Sequence, residues 1–230
     1  TDSVSCFSGD DGSILLQGVG GTAPYIIDYG TDPITGAPLN ENQLAAGTYV
    51  ISLTDANGCT SNPSSFTVDI YEPNQLIVNS STNNISCFGS SDGEINLTVS
   101  GGTAPYNYTW SSSSVQNYTN INDSTIGNLH QATYTVVIDD TNLCSQTFSY
   151  ILGSPSPIAI QGSTVDVACN GGNTGAVSLN ITGANSPYSY LWSNGQVKQK
   201  SDLCPGSHWG EVTDINNCLV REDFTIEDLI

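Results

Sequence analysis

Six of the seven cysteines recur in pairs, and thiol pairing is the chemistry that their spacing predicts. The opening cysteines Cys6, Cys87 and Cys169 recur at nearly equal intervals, and a closing cysteine follows each of them at a shorter, similar interval. Such regular spacing is typical of disulfides in an oxidising compartment. The pattern predicts the bridges Cys6–Cys59, Cys87–Cys144 and Cys169–Cys218. Each would close a loop of about 50 residues and stabilise its unit by roughly 4 kcal/mol.

The seventh cysteine has no counterpart in this pattern. Cys204 takes the position that Ala45 occupies in the first unit. We therefore expect a buried free thiol at Cys204, with an intermolecular bridge as the less favoured alternative.

Aspartates cluster in two turns that flank the cysteines. If each predicted bridge joined its two turns, the carboxylates would gather in one group of Asp10, Asp11 and Asp55 and in another of Asp92, Asp139 and Asp140. Such a group could bind Ca²⁺, which takes six to eight oxygen ligands. Asp and Asn also close turns through their own side chains. We favour turn closure and expect no metal or cofactor, with Ca²⁺ as the alternative, because the third unit offers only Asp214 with Asn173 and Asn216.

Catalytic chemistry is poorly represented. The two histidines, His130 and His208, fall in different units, and the sequence indicates no nucleophilic partner for either. A glycosidase would need two carboxylates across a cleft, which narrow sandwiches seldom provide. We expect no catalytic residues and no enzyme activity.

The elements that position these residues are short strands separated by Gly and Pro turns. Residues 94–100 and 176–182 alternate between apolar and polar side chains, as do 48–54 and 133–139. Alternation with period two predicts strands with one buried face. Together with the internal repeat, it predicts three tandem immunoglobulin-like or fibronectin-like antiparallel β-sandwiches over 1–73, 74–155 and 156–230, named modules one, two and three below. In module three, His208 and Gly210 replace the Tyr and the Ile or Val of the other modules, which predicts a changed register or packing there.

Charge restricts the partners. The chain has 22 acidic and 3 basic residues, a net charge of −19. Such a surface repels phosphate backbones and anionic membranes, so nucleic acid is not an expected partner. No apolar run approaches the length of a membrane-spanning helix, and we expect no membrane insertion. The sequence has no initiator Met and no signal-peptide pattern, which we interpret as a processed or excised part of a secreted product.

The repeated motifs resemble a known family. The run C-F-G-S-S-D-G-E-I-N-L-T-V-S-G-G-T-A-P-Y-N-Y-T-W, with L-A-A-G-T-Y and D-A-N-G-C, is similar to the SprB-type repeats of Bacteroidota cell-surface adhesins. The resemblance covers nearly the whole chain, three times. It implies an extracellular, non-enzymatic role at the bacterial surface or in a secreted filament, and it names no ligand. Module three departs from it at residues 206–214, and module two carries an insert at 111–127.

Two functions fit this resemblance. One is a structural segment or subunit of a surface fibre or adhesin stalk. The other is a module that binds carbohydrate or a host surface, with Trp110, Trp192 and Trp209 as stacking platforms. Because equivalent residues recur in all three modules, and most of the aromatic residues fit a core, we favour the structural role.

Covalent glycans are a further expectation. Two sites, Ser3 and Ser124, look like the Asp-Ser/Thr-apolar acceptor associated with O-glycosylation in Bacteroidota. Seven N-x-S/T sequons are weaker candidates: Asn79, Asn84, Asn96, Asn107, Asn117, Asn122 and Asn180.

Assembly is the last expectation. Short apolar strands precede Cys87 and Cys169, whereas only five residues precede Cys6, so module one should present an unpaired edge. We expect a homo-oligomeric, head-to-tail fibre in which the tail of one chain complements the next; neighbouring repeats of a longer chain are the alternative partners. The residues implicated in assembly are Phe224, Ile226, Leu229 and Ile230, together with the three basic residues Lys198, Lys200 and Arg221.

Overall fold

The structure is a computed structural model, and it describes residues 1–31, 39, 41–113, 122–167, 172 and 174–228. The described residues form fifteen strands and no helix. All ten strand pairings are antiparallel. The all-β architecture predicted from the alternating pattern is confirmed.

The strands fall into three groups that follow the repeat. The strands of module one are β1 (Ile26–Asp28), β2 (Gly47–Thr54) and β3 (Phe66–Ile70). Those of module two are β4 (Ile77–Asn83), β5 (Gly93–Ser100), β6 (Asn107–Ser112), β7 (Thr125–Leu129), β8 (Ala132–Asp139) and β9 (Ser145–Leu152). Those of module three are β10 (Ala159–Val165), β11 (Gly175–Thr182), β12 (Ser189–Trp192), β13 (Lys200–Leu203), β14 (Gly206–Thr213) and β15 (Leu219–Ile226).

Modules two and three have the same strand order. Module two pairs β4-β5-β7 in one sheet and β6-β8-β9 in the other, and module three repeats this as β10-β11-β13 and β12-β14-β15. These orders match the A-B-E and C-F-G strands of immunoglobulin sandwiches. In module one, β1-β2-β3 corresponds to C-F-G. The topology therefore confirms the predicted immunoglobulin-like fold.

Each sandwich encloses its own apolar cluster. Ile51 in module one and Tyr134, Val136 and Ile138 in module two are fully buried, which confirms the inward face predicted from the alternation. An aromatic residue at or near the end of each C strand is also buried, namely Tyr29, Trp110 and Trp192. One cluster lies within each predicted module. The boundaries after residues 73 and 155 stay predictions.

A hydrogen bond at the start of each F strand fixes the sandwich corner. The hydroxyls of Tyr49 and Tyr134 donate to the backbone oxygens of Ala45 and His130 at 2.7 and 3.0 Å. This is the tyrosine corner of immunoglobulin domains. In module three, Nε2 of His208 lies 2.9 Å from the oxygen of Cys204.

Module three keeps the strand register of module two, and its packing differs at one point. Gly210 pairs with Trp192 just as Val136 pairs with Trp110. A Cβ on Gly210 would lie 3.0 Å from the Trp192 ring, so the indole fills the space that valine takes in module two.

Candidate functional site: the junctions between modules

The turn before each closing cysteine is built around one buried aspartate. In module two, the Asp140 carboxylate accepts the N–H groups of Thr103, Asn142 and Cys144 at 2.8 to 2.9 Å. Asp55 and Asp214 accept the equivalent N–H groups in the other two modules. The N–H groups of Cys59 and Thr22 lower the pKa of Asp55. We name these three segments, at 55–59, 140–144 and 214–218, the closing turns.

In modules one and two, the turn after the opening cysteine is also closed by an aspartate. Asp11 accepts the N–H of Ser5, and Asp92 accepts the N–H of Ser86. The hydroxyls of Ser86 and Ser90, and then the Ser86 N–H, lower the pKa of Asp92 to about 2. We name the segments at 5–11 and 86–92 the opening turns.

Disulfides join modules to one another. Cys6 of module one pairs with Cys144 of module two, and Cys87 of module two pairs with Cys218 of module three. Their Cα atoms lie 5.6 and 5.4 Å apart. The predicted bridges within modules, Cys6–Cys59 and Cys87–Cys144, are therefore wrong. The bridge Cys169–Cys218 is wrong as well, because Cys218 bonds to Cys87; Cys169 itself lies outside the described residues.

The geometry of a sandwich explains the error. The opening turn precedes strand B, whereas the closing turn joins strands F and G at the opposite end, beside the turn that follows strand B. In module two, β5 separates these ends with eight residues, about 25 Å of strand. A disulfide requires Cα atoms within about 7 Å. The opening turn can instead reach the closing turn of the following module.

Hydrogen bonds accompany each bridge. The side-chain amide of Asn142 donates to the Ser5 oxygen at 2.9 Å, and the amide of Asn216 donates to the Ser86 oxygen at 3.3 Å. Clefts of about 560 and 220 Å³ lie beside the two bridges. We name each bridge with its two turns a junction.

These hydrogen-bonding residues were not identified from the sequence. The signal was present, since the opening cysteines of modules one and two each follow a serine, and an asparagine precedes every closing cysteine by two positions. The recurrence marks the serine and asparagine positions as structurally important, but it does not reveal that the asparagine of one module bonds to the serine of the preceding module.

Two described cysteines are unpaired, Cys59 and Cys204, and both are exposed. The prediction of a free thiol at Cys204 is confirmed, but the prediction of its burial is wrong. Cys204 lies beside the E–F corner, where its oxygen faces His208 and its side chain faces solvent.

The carboxylate groups considered as alternative calcium sites do not come together within the described residues. Asp10 and Asp11 lie at the opposite end of module one from Asp55, and Asp92 is separated in the same way from Asp139 and Asp140. Four of the aspartate carboxylates each accept an N–H group from their own turn: Asp11, Asp55, Asp92 and Asp140. Within the described part of the chain, which does not include Asn173, no group of three acidic, His or Cys side chains could hold a metal ion.

The histidines are separated in the fold. His130 contributes its backbone oxygen to one E–F corner, and His208 forms the next. Trp110 and Trp192 are core residues with 1% exposure, so neither is a stacking platform. Trp209 is half-buried, and the Arg221 guanidinium lies 4.4 Å from its ring centre.

Most of the predicted glycosylation sites are accessible. Ser3 is exposed, while Ser124 is half-buried just before β7, where its backbone oxygen accepts the Leu97 N–H. Asn96 is half-buried, and Asn117 lies outside the described residues. The remaining sequons are exposed: Asn79, Asn84, Asn107, Asn122 and Asn180. Glycosylation stays a prediction.

The residues predicted for assembly lie in different environments. Ile226 is buried and Phe224 packs against Trp192 in module three, so both belong to its core. Lys198 and Lys200 are exposed, and Arg221 lies 3.7 Å from Asp223. Leu229 and Ile230 are outside the described residues.

Across the described ranges, no helix is long and apolar enough to cross a membrane.

The chain has low similarity to solved structures of immunoglobulin domains. Among solved structures, one concerned with Dscam isoform specificity shares 12% identity over 84% of this chain and 58% of its own, with a TM-score of 0.27. The four N-terminal Ig domains of Dscam1 isoform 9.44 match at 11% identity over 84% of this chain and 57% of theirs, with a TM-score of 0.28. The chain thus spans less than two thirds of either structure. The fold assignment rests on strand order and not on these likenesses.

No curated protein matches the chain in sequence. The family model of the SprB repeat matches it three times, at residues 1–27, 79–115 and 162–197. One match falls in each predicted module and includes its opening cysteine. Three segments of the chain, spaced as the internal repeat is, are thus similar to the SprB repeat, as the motifs indicated.

Proposed function

We propose that this chain is a tension-bearing section of a non-enzymatic, extracellular stalk or fibre at a bacterial cell surface. SprB repeats and immunoglobulin-like folds are typical of surface adhesin-type structural modules. One observation supports the mechanical role above others: both described disulfides link one module to the next. A stalk under tension benefits from such links because they restrict how far the chain extends when modules unfold.

The restriction follows from the covalent path between the chain ends. That path runs from the first residue to Cys6, crosses to Cys144, returns along the chain to Cys87, crosses to Cys218 and continues to the last residue. Fully extended at about 3.5 Å per residue, this path measures about 260 Å, whereas an uncrosslinked chain of 230 residues measures about 800 Å. The two bridges therefore withhold about 540 Å of chain from the load.

Single-molecule pulling tests the proposal, with handles on the two termini that do not use cysteine. The oxidised chain should extend to about 260 Å, and addition of reductant should release the remaining length. Cys6→Ser should give about 340 Å, because the path then follows the backbone from the first residue to Cys87. Cys204→Ser is the matched control and should leave the limit unchanged. An oxidised chain that extends to about 800 Å would exclude the tension-bearing role.

An open edge on module one supports assembly into a longer array. In modules two and three, seven-residue strands pair along β5 and β11. On the corresponding edge of module one, the described residues show one bridge, Asp2 to Ser13, and Leu15 and Val19 are 87% and 93% exposed. We propose that this edge accepts a strand from a neighbouring repeat, head to tail.

The proposed donor, the C-terminal tail, is partly engaged within its own module. The Val167 N–H donates to the Glu227 backbone oxygen, and Asp228 forms an isolated parallel β-bridge with Val167. We propose Leu229 and Ile230, which follow this bridge and lie outside the described residues, as the part of the tail that pairs with a neighbouring repeat. Deletion of residues 229–230 should abolish polymerisation and leave the monomer folded, as judged by electron microscopy and circular dichroism. Filaments formed by the deleted chain would exclude the tail as donor.

A further inference from the structure

The closing turn of module one has the construction of the two that form junctions, but its cysteine is unpaired. The Asp55 carboxylate accepts the N–H groups of Thr22, Asn57 and Cys59 at 3.0, 2.9 and 2.8 Å. The Ala56 N–H donates to the Thr22 oxygen at 2.9 Å, as the Thr141 N–H does to Thr103. The turn is thus already in the conformation that Cys144 and Cys218 have in their disulfides.

The asparagine of this turn retains a donor. In the first junction, the Asn142 amide makes two bonds, one to Oγ1 of Thr103 and one to the Ser5 oxygen of the preceding module. Asn57 makes the first of these bonds, to Oγ1 of Thr22 at 2.9 Å. For its second amide hydrogen, the described residues supply no acceptor, although an amide group carries two donors.

A cleft of about 380 Å³ lies beside Cys59 and is lined by Gly20, Gly21 and Asp55 among others. The corresponding clefts of modules two and three border the opening turn of the preceding module, at Cys6 and Phe7 and at Cys87 and Phe88. The two junctions within the same chain therefore indicate that the surface beside Cys59 would bind an opening turn. The thiol, the free amide donor and the cleft all occupy equivalent positions.

We propose that the Cys59 turn is a covalent docking site for the opening turn of another SprB-type repeat. The occupant supplies a cysteine thiol for a disulfide with Cys59 and, from the residue before it, a backbone oxygen for the Asn57 amide. The inference deepens the proposed function, since it names the partner that would continue the disulfide-linked array beyond module one.

Glutathione disulfide is the oxidant for the reaction. The Cys59 thiolate attacks it, forms a mixed disulfide and releases one glutathione thiolate. The occupant's thiolate then attacks the Cys59 sulfur and displaces the second glutathione. Two thiols are thereby oxidised to one disulfide while one glutathione disulfide is reduced to two glutathiones.

Peptide capture by the whole chain tests the site. The probe is a synthetic peptide with the sequence of residues 85–93, which includes the opening turn that Cys218 binds. In a glutathione redox buffer, followed by acid quenching and peptide mapping, the probe should accumulate on Cys59 at least tenfold over Cys204. Cys204 is the matched control because it is an exposed thiol on the same chain without the aspartate-closed turn.

Two comparisons separate recognition from simple thiol exposure. A peptide of scrambled sequence should be captured equally at Cys59 and Cys204. Asn57→Ala should lower capture of the probe severalfold and leave capture of the scrambled peptide unchanged. Equal capture of probe and scrambled peptide at Cys59, or equal capture of the probe at Cys59 and Cys204, would overturn the proposal.

This test is independent of the pulling experiment. The extension limit depends on Cys6–Cys144 and Cys87–Cys218 and does not involve Cys59. Failure of peptide capture would therefore leave the tension-bearing role standing, and an extensible chain would leave the docking site standing.

Discussion

The imidazole Nε2 of His208 lies 2.9 Å from the backbone oxygen of Cys204, in the position where a tyrosine hydroxyl closes the corner of the other two modules. Its Nδ1 lies 3.1 Å from the Ser193 hydroxyl. Histidine thus replaces tyrosine without loss of the corner bond, and module three keeps the strand register of module two.

Substitutions of His208 should show that module three needs a hydrogen bond at this corner, whether histidine or tyrosine provides it. His208→Phe removes both bonds and should lower the free energy of unfolding by about 1–3 kcal/mol, whereas His208→Tyr should retain stability. His130→Ala is the control, because only the backbone oxygen of His130 closes its corner. Denaturant titration measures all three. A His208→Phe chain as stable as wild type would contradict the expectation.

Glycine substitutions should separate steric overlap from backbone strain. Gly101 and Gly20 are equivalent and have φ of +73° and +81°. A Cβ on Gly101 would lie 1.9 Å from the Gln75 oxygen, whereas a Cβ on Gly20 would meet no atom within 4 Å. Gly20→Ala should cost about 1–2 kcal/mol from strain alone, and Gly101→Ala several kcal/mol more. Equal losses in thermal melts would show that the segment at Gln75 does not press on this turn.

A third substitution tests the packing of Trp192 against β14. Gly210→Val adds side-chain atoms where a Cβ alone would already lie 3.0 Å from the indole, so it should destabilise module three by about 1–3 kcal/mol. Gly127→Ala, on an exposed part of β7 with no atom within 4 Å of the added Cβ, is the matched control and should be close to neutral. Near-ultraviolet circular dichroism of the tryptophans provides a second measurement.

The fold was predictable from the sequence and the disulfide pairing was not. Alternation at residues 94–100 and 133–139 depends on local periodicity, which the pleat of a strand imposes directly. Pairing depends on which ends of the sandwich meet. The spacing of Cys6 and Cys59 records that both belong to one repeat, but it contains no information that strands B and F place them at opposite ends.

Peptide mapping without reduction should identify the cross-module bridges. Proteolysis of the oxidised chain should release fragments that join Cys6 to Cys144 and Cys87 to Cys218. The same digest should show Cys204 as an alkylatable thiol. Fragments that join Cys6 to Cys59 would contradict the junctions and restore the pairing expected from the spacing.

The opening turn of module two should make stability depend on acid pH. Hydrogen bonds from Ser86 and Ser90 lower the pKa of Asp92 to about 2, below the value of about 3.9 in an unfolded chain. A lowered pKa contributes stability that is fully present above pH 3.9 and is lost as the pH falls through 2. Asp92→Asn should therefore lower stability at neutral pH and flatten the acid limb between pH 4 and 2.

Ser90→Ala gives the matched intermediate case. It removes one hydroxyl donor and leaves the Ser86 N–H in place, so the pKa of Asp92 should rise part of the way toward its unfolded value, and the acid limb should become smaller and end at a higher pH. Denaturant midpoints between pH 2 and 5 measure the shift. Because Asp92 shares its turn with Cys87, reduction of the Cys87–Cys218 bridge by glutathione should also become easier in Asp92→Asn. An unchanged acid limb in Asp92→Asn would show that the carboxylate does not stabilise the turn.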